Sequence, residues 1–169
     1  MQLALADATS LPFIMAMKND CIAEMRARGI EQWDDVYPSR EIFETDIAAK
    51  NLFVLMDDSN TIIGSATFDE KQSDEYKTID WKFRSSRIGV VHRLMIAPNH
   101  AGKGRAKTLM MAIESEAVRR GYEVIRLDAF QTNPPALRLY ESIGYRRTGQ
   151  VFFRKGVFVC FEKRLINLT

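Results

Sequence analysis

The chain has 169 residues, 46% of them hydrophobic and 10% aromatic, which is enough apolar material for a substantial core and excludes a disordered chain. With 24 Lys and Arg against 22 Asp and Glu the net charge is only +2, which excludes the overall basicity that drives non-specific nucleic-acid binding. No apolar run approaches the roughly 20 residues that span a bilayer, and the opening MQLALAD has no basic leader, so residues 1–169 read as a single cytoplasmic domain with no membrane partner.

Residues 2–6 suit a short first strand. Asp7 to Ser10 then offer capping oxygens to an amphipathic helix in which Ile14, Met15, Met17, Cys21, Ile22 and Met25 share a face until Gly29 ends it. Residues 30–38 (IEQWDDVYP) form a loop rich in aromatic rings and carboxylates. Ser39 is an N-cap for a second helix carrying Ile42, Phe43, Ile47 and Ala48. Residues 52–56 and 61–68 read as an antiparallel hairpin across Asp57-Asp58-Ser59-Asn60. The charged residues 69–78 are expected to be the most exposed stretch. A strand piece at 79–83 and a basic turn at Arg84 to Arg87 then lead into a strand over 89–96.

From Gly104 the residues Ala106, Leu109, Met110, Ile113 and Ala117 repeat at helical spacing up to Gly121. Residues 124–130 form a strand. Asn133 and Pro134 supply an N-cap and a first-turn proline for a short helix, which Gly144 stops. Two aromatic strands, 145–153 and 157–163, close the chain as a hairpin that could also pair between two copies as a homodimer. The order predicts an α+β fold with a mixed, mostly antiparallel sheet. Cys21 and Cys160 stand in unlike surroundings and read as reduced thiols, and His92 and His100 lack ligand spacing, so no metal is expected.

The stretch VVHRLMIAPNHAGKGRAK, Val90 to Lys107, places two glycines and three basic residues between a strand and a helix start. Glycines let backbone N–H groups approach a ligand, and the first helical turn adds unpaired donors at the positive end of the dipole, so the loop suits an anion. It lacks the Lys-Ser or Lys-Thr of a Walker loop and the third glycine of a dinucleotide fingerprint.

Leu94 to Ile96, the run Asn99-His100-Ala101-Gly102-Lys103-Gly104, the helix after it and the segment NPPALRLYESIGY from Asn133 to Tyr145 together resemble the acetyl-CoA-binding core of the GCN5-related N-acetyltransferases (GNAT). The resemblance covers about residues 89–153. It departs at Asn99, where that family has Gln or Arg. It implies an N-acetyltransferase that moves an acetyl group from acetyl-CoA to a primary amine of a small molecule or peptide, by direct attack on the thioester. The sheet is then expected to splay at the cofactor strand. Gly102, Lys103, Gly104, Arg105, Ala106 and Lys107 would cradle the diphosphate, with Asn99 opening the loop. Leu94, Met95 and Ile96 would pair with the pantetheine arm, Asn133 would help hold it, and Arg138 would face the nucleotide phosphate.

Tyr140 matches the family's acid for the departing thiolate, and its alternative is a core aromatic. His92 is the favoured base, because alternation with Leu94 and Ile96 puts it on the cofactor strand; its alternative is a satisfied histidine. Asp80, Asp128 and Glu31 are weaker candidates. In the family the acceptor pocket is built mainly by the N-terminal helices and the last hairpin. Here those parts include Glu31, Trp33, Asp34, Asp35 and Tyr37, with Phe152 and Phe153, acidic and aromatic groups suited to a cationic amine; the alternative is Trp33 as a core plug with the carboxylates in water. The competing functions are a non-catalytic acyl-CoA-binding or regulatory module and a nucleic-acid-binding domain, which the net charge disfavours.

Overall fold

The computed structural model describes residues 1–165. Its elements are β1 (Gln2–Leu5), α1 (Leu11–Ala27), α2 (Arg40–Ala48), β2 (Leu52–Met56), β3 (Ile62–Asp69), β4 (Ile88–Ile96), α3 (Arg105–Arg119), β5 (Val124–Phe130), α4 (Pro134–Ser142), β6 (Arg146–Phe153) and β7 (Gly156–Arg164), with 3-10 turns at Asp74–Thr78 and Pro98–His100. The seven strands make one mixed sheet in the order β1-β2-β3-β4-β5-β7-β6, as an α+β chain of this pattern should. No helix among the described residues is long and apolar enough to cross a membrane.

Two compact units divide the chain, one made of Met1–Phe68 with Arg93–Ala112, the other of Asp69–His92 with the chain from Ile113 on. In the first, β1 pairs antiparallel with β2 (Leu3 opposite Leu55), and β2 pairs antiparallel with β3 across the expected hairpin. Its core joins Leu11, Ile14, Met17 and Ile22 of α1 to Trp33, Phe43, Leu52, Val54 and Met95. In the second, β4 pairs parallel with β5, β5 antiparallel with β7, and β7 antiparallel with β6. The β4–β5 pairing runs only from Ile88 to Val90, although β4 continues to Ile96 and β5 to Phe130.

Local chemistry explains the helix starts. Asp7 Oδ1, rather than Ser10, takes the N–H groups of Thr9 at 2.8 Å and Ser10 at 3.2 Å ahead of α1. Ser39 Oγ accepts from Ile42 N–H at 3.4 Å before α2, and Asn133 Oδ1 accepts from Ala136 N–H at 3.4 Å before α4, with Pro134 in the first turn.

Two expectations fail between β3 and β4. Residues 79–83 form no strand, and 69–78 are not uniformly exposed, because Tyr76 is 3% exposed. One buried aromatic reorganises the segment. Tyr76 stacks on Trp81 with ring centroids 5.1 Å apart, its O–H donates to Asp128 at 2.6 Å, and its carbonyl accepts from Trp81 Nε1 at 2.9 Å. Buried Glu162 of β7 takes the backbone N–H groups of Lys82 at 2.7 Å and Phe83 at 3.3 Å, donors that a strand would have spent on a ladder.

A third difference lies inside β4. Arg93 has φ +52°, a left-handed conformation that non-glycine residues adopt at a cost. The two-residue period cannot pass through such a residue, so the alternation argument linking His92 to Leu94 and Ile96 does not hold.

Candidate active site

The anion loop belongs to the first unit. After the 3-10 turn at Pro98–His100, Gly102 and Gly104 take φ +73° and +72°, a region glycine enters without penalty, and the first helical bond of α3 runs from Thr108 N–H to the Gly104 carbonyl at 3.0 Å. The N–H groups of Arg105, Ala106 and Lys107 thus lie ahead of that bond, at the positive end of the helix. Lys103 and Lys107 are exposed, and Lys103 Nζ reaches back to the Asn99 carbonyl at 3.3 Å. Asn99 itself is exposed. Arg105 Nε is buried with no hydrogen-bond partner among the described residues, a cationic donor left over at the loop. These groups fit a diphosphate: backbone donors in a row, a dipole of the right sign and spare guanidinium capacity.

The strand before the loop is spaced by Gly64 of β3. A side chain there would put its Cβ 2.6 Å from Ile96 Cδ1 and 3.1 Å from the Met95 carbonyl oxygen, so any other residue would make the Ile96 side chain and the Met95 carbonyl give way. Met95 is buried, Leu94 and Ile96 half-buried, and Cys21 Sγ donates weakly to the Ile96 carbonyl at 3.3 Å. Burial pushes the Cys21 thiol up to about 12, so it is no nucleophile at neutral pH. Arg93 turns to buried Asp46, with which it forms an ion pair, and donates to Tyr37 Oη at 3.3 Å; Thr67 Oγ1 donates to the same Asp46 oxygen at 2.7 Å.

The second unit gathers the titratable groups. His92 Nε2 lies 2.8 Å from Asp69 Oδ1, and Asp69 is 7% exposed. Tyr76 and Asp128 pair as described above. Burial raises Asp128 above the usual carboxylate range, partly offset by the Tyr76 hydrogen bond and the charge of His92. Tyr140 packs its ring at 5.9 Å from Tyr145 and 5.6 Å from Phe161, and burial, with the neighbouring Asp128 charge, drives its phenol well above the ordinary value. This changes the chemistry open to Tyr140. A phenol held above its ordinary value stays protonated at neutral pH, so what its O–H can offer a thiolate is a hydrogen bond. Cys160 faces the same group and is likewise raised to about 12, first by burial and then by Asp128.

Of the other residues singled out in the sequence, Asn133 caps α4 and Arg138 is exposed on it. Trp33 is buried in the core of the first unit. Asp34 Oδ1 accepts the N–H groups of Val36 and Tyr37, each at 3.0 Å, and so is engaged in shaping its own loop. Glu31 is exposed at the edge of ion-pair range, 4.0 Å from Arg26. Asp80 is an exposed partner of Lys82. Sequence reasoning missed Asp69 and Tyr76. Ile63, Ser65 and Thr67 share a face of β3 that Asp69 continues, and Tyr76 is the one aromatic within a run of charges; either could have been noticed.

Human N-acetyltransferase 8B is 35% identical over 74 residues, which are 44% of this chain and 32% of that protein. The chain thus spans about a third of the length of the curated relatives it matches first. A GNAT-family acetyltransferase structure from Streptococcus agalactiae 2603 superposes with TM-score 0.86 at 24% identity, covering 96% of this chain and 94% of that one. A Salmonella typhimurium structure with its cofactor acetyl-CoA superposes with TM-score 0.72 at 19% identity, covering 100% of this chain and 96% of that one. At those identities the two structures speak for the fold. Residues 16–145 match the acetyltransferase (GNAT) family, and the chain belongs to that family.

Proposed function

We propose that the chain is an acetyl-CoA-dependent N-acetyltransferase that acylates a primary amine of a small molecule or peptide by direct attack on the thioester. The observation that carries this is the succession of β4, released from its pairing with β5 after Val90, a loop with Gly102 and Gly104 at positive φ, and the start of α3. Residues 102–107 hold the diphosphate through backbone N–H groups, with Lys103, Arg105 and Lys107 adding charge; Arg138 takes the nucleotide phosphate. Leu94, Met95 and Ile96 offer backbone groups to the pantetheine arm, alongside Asn133. The backbone N–H near Met95 stabilises the developing oxyanion. His92 takes the proton from the attacking amine. Tyr140 donates a hydrogen bond to the departing thiolate. Glu31 and Tyr37, both exposed, receive the cationic acceptor, while Trp33 and Asp34 shape the loop between them.

Calorimetry with acetyl-CoA followed by thiol release against a panel of amines tests this reading. One-to-one binding and amine-dependent thiol release are expected. No binding overturns it, and binding without thiol release from any amine makes the chain an acyl-CoA-binding module.

A further inference from the structure

The carboxylate at the end of β3 has no role in the chemistry so far. Asp69 Oδ1 accepts the N–H of Lys71 at 2.8 Å and lies 2.8 Å from His92 Nε2. A carboxylate can only accept, so the hydrogen between them resides on Nε2, and in its neutral form the ring keeps its lone pair on Nδ1. The His92 side chain is 23% exposed and its partner 6%: the imidazole can be reached, whereas the group that orients it is sealed. Among the described residues, Asp128 of β5, which Tyr76 occupies from the 3-10 turn, also interacts electrostatically with His92; Tyr140 of α4 and Cys160 of β7 interact with Asp128 in turn. Asp69 is therefore the carboxylate in hydrogen-bond contact with this ring, and Asp128 acts on it through space.

We propose that Asp69 is the positioning residue of the base: it holds His92 as the Nε2–H tautomer, so that Nδ1 is the nitrogen that takes the amine's proton. This rests on the N-acetyltransferase reading and deepens it. The amine lone pair forms the new C–N bond, and one N–H proton passes to His92 Nδ1. The C–S electrons go to sulfur, and the thiolate leaves against the Tyr140 O–H and takes its proton from solvent, to which His92 returns one. Asp69 stays a carboxylate throughout and stabilises the imidazolium formed midway.

Long-range 1H–15N spectra of His92, acetyl-CoA titrations and kcat for wild type, Asp69→Ala and Asp69→Asn test this. Wild type should show the Nε2–H pattern alone. Asp69→Ala should show both tautomers and lose roughly 10- to 100-fold in kcat, with acetyl-CoA affinity unchanged. In Asp69→Asn the Lys71 N–H keeps an oxygen at the same place, so the tautomer is retained and much of kcat recovers. An Nδ1–H ring in the wild type, or full kcat in Asp69→Ala, overturns the proposal. Should the alanine variant not fold, His92→Gln carries the kinetic arm, with a loss of about 10²- to 10⁴-fold expected and an unchanged kcat overturning it. Wild-type protein that releases no thiol overturns the transferase reading instead, and the spectra still report on Asp69 and His92.

Discussion

Replacing Tyr140 by phenylalanine removes one oxygen and leaves the ring, with its packing on Tyr145 at 5.9 Å and Phe161 at 5.6 Å, in place. Stability should therefore hardly change. The kinetic effect depends on what the hydroxyl does. Full proton transfer would be worth about 10²- to 10⁴-fold. Burial, however, raises this phenol well above its ordinary value, while a thiol titrates at about 8.5, so transfer to the thiolate runs uphill. What remains is a hydrogen bond to a developing anion, worth about 1.5–3 kcal/mol, or roughly 10- to 150-fold in kcat. Steady-state thiol release with a saturating amine, beside calorimetric titration of acetyl-CoA, measures both quantities. A kcat within about twofold of wild type would remove Tyr140 from the mechanism, and a loss beyond about 10³-fold would mean full proton transfer from its hydroxyl.

Three further outcomes are expected. Asp46→Ala leaves Arg93 buried without its carboxylate, at about 3–5 kcal/mol. At about 2–4 °C per kcal/mol for a chain of this size the melting temperature should fall by roughly 6–20 °C, and a loss below 1 kcal/mol would contradict the assigned ion pair. Asp128, whose folded value lies above the unfolded one, contributes stability that is full below about pH 4 and is lost as pH rises through the folded value. Asp128→Asn keeps an acceptor for Tyr76, so urea midpoints measured between pH 4 and 8 should show the variant gaining on wild type as pH rises; parallel curves would refute the shift. Gly104→Ala meets no atom within 4 Å but must hold φ +72°, at a cost of about 1–2 kcal/mol. Relaxing that angle moves the loop donors, so acetyl-CoA binding should weaken about tenfold in calorimetry, and unchanged affinity would mean that the loop does not hold the diphosphate.

The site was legible where one local signal sufficed. Gly102 and Gly104 before a helical repeat announced a loop with two glycines at positive φ ahead of α3, and Asn133-Pro134 announced the start of α4. Trp33 and Asp34 were less legible, because a lone aromatic beside carboxylates reads either as a binding face or as a core plug with the carboxylates in water. Packing decided for the plug, and Asp34 accepts N–H groups of its own loop.

Apart from the strand piece expected at 79–83, periodicity and turn chemistry by themselves determined the strands, the helices and their order, because each depends on neighbours within a few residues. The loop's charge and glycines are equally local. The tertiary structure alone decided which residues meet His92. Asp69 and Asp128 reach it from β3 and β5, and Tyr76 is drawn out of a charged run to cover Asp128. It also decided that Arg93 breaks the alternation of β4, and that burial beside Asp128 raises the Tyr140 phenol above its ordinary value. Such outcomes depend on desolvation and on partners distant in the chain, quantities that no local pattern of residues encodes.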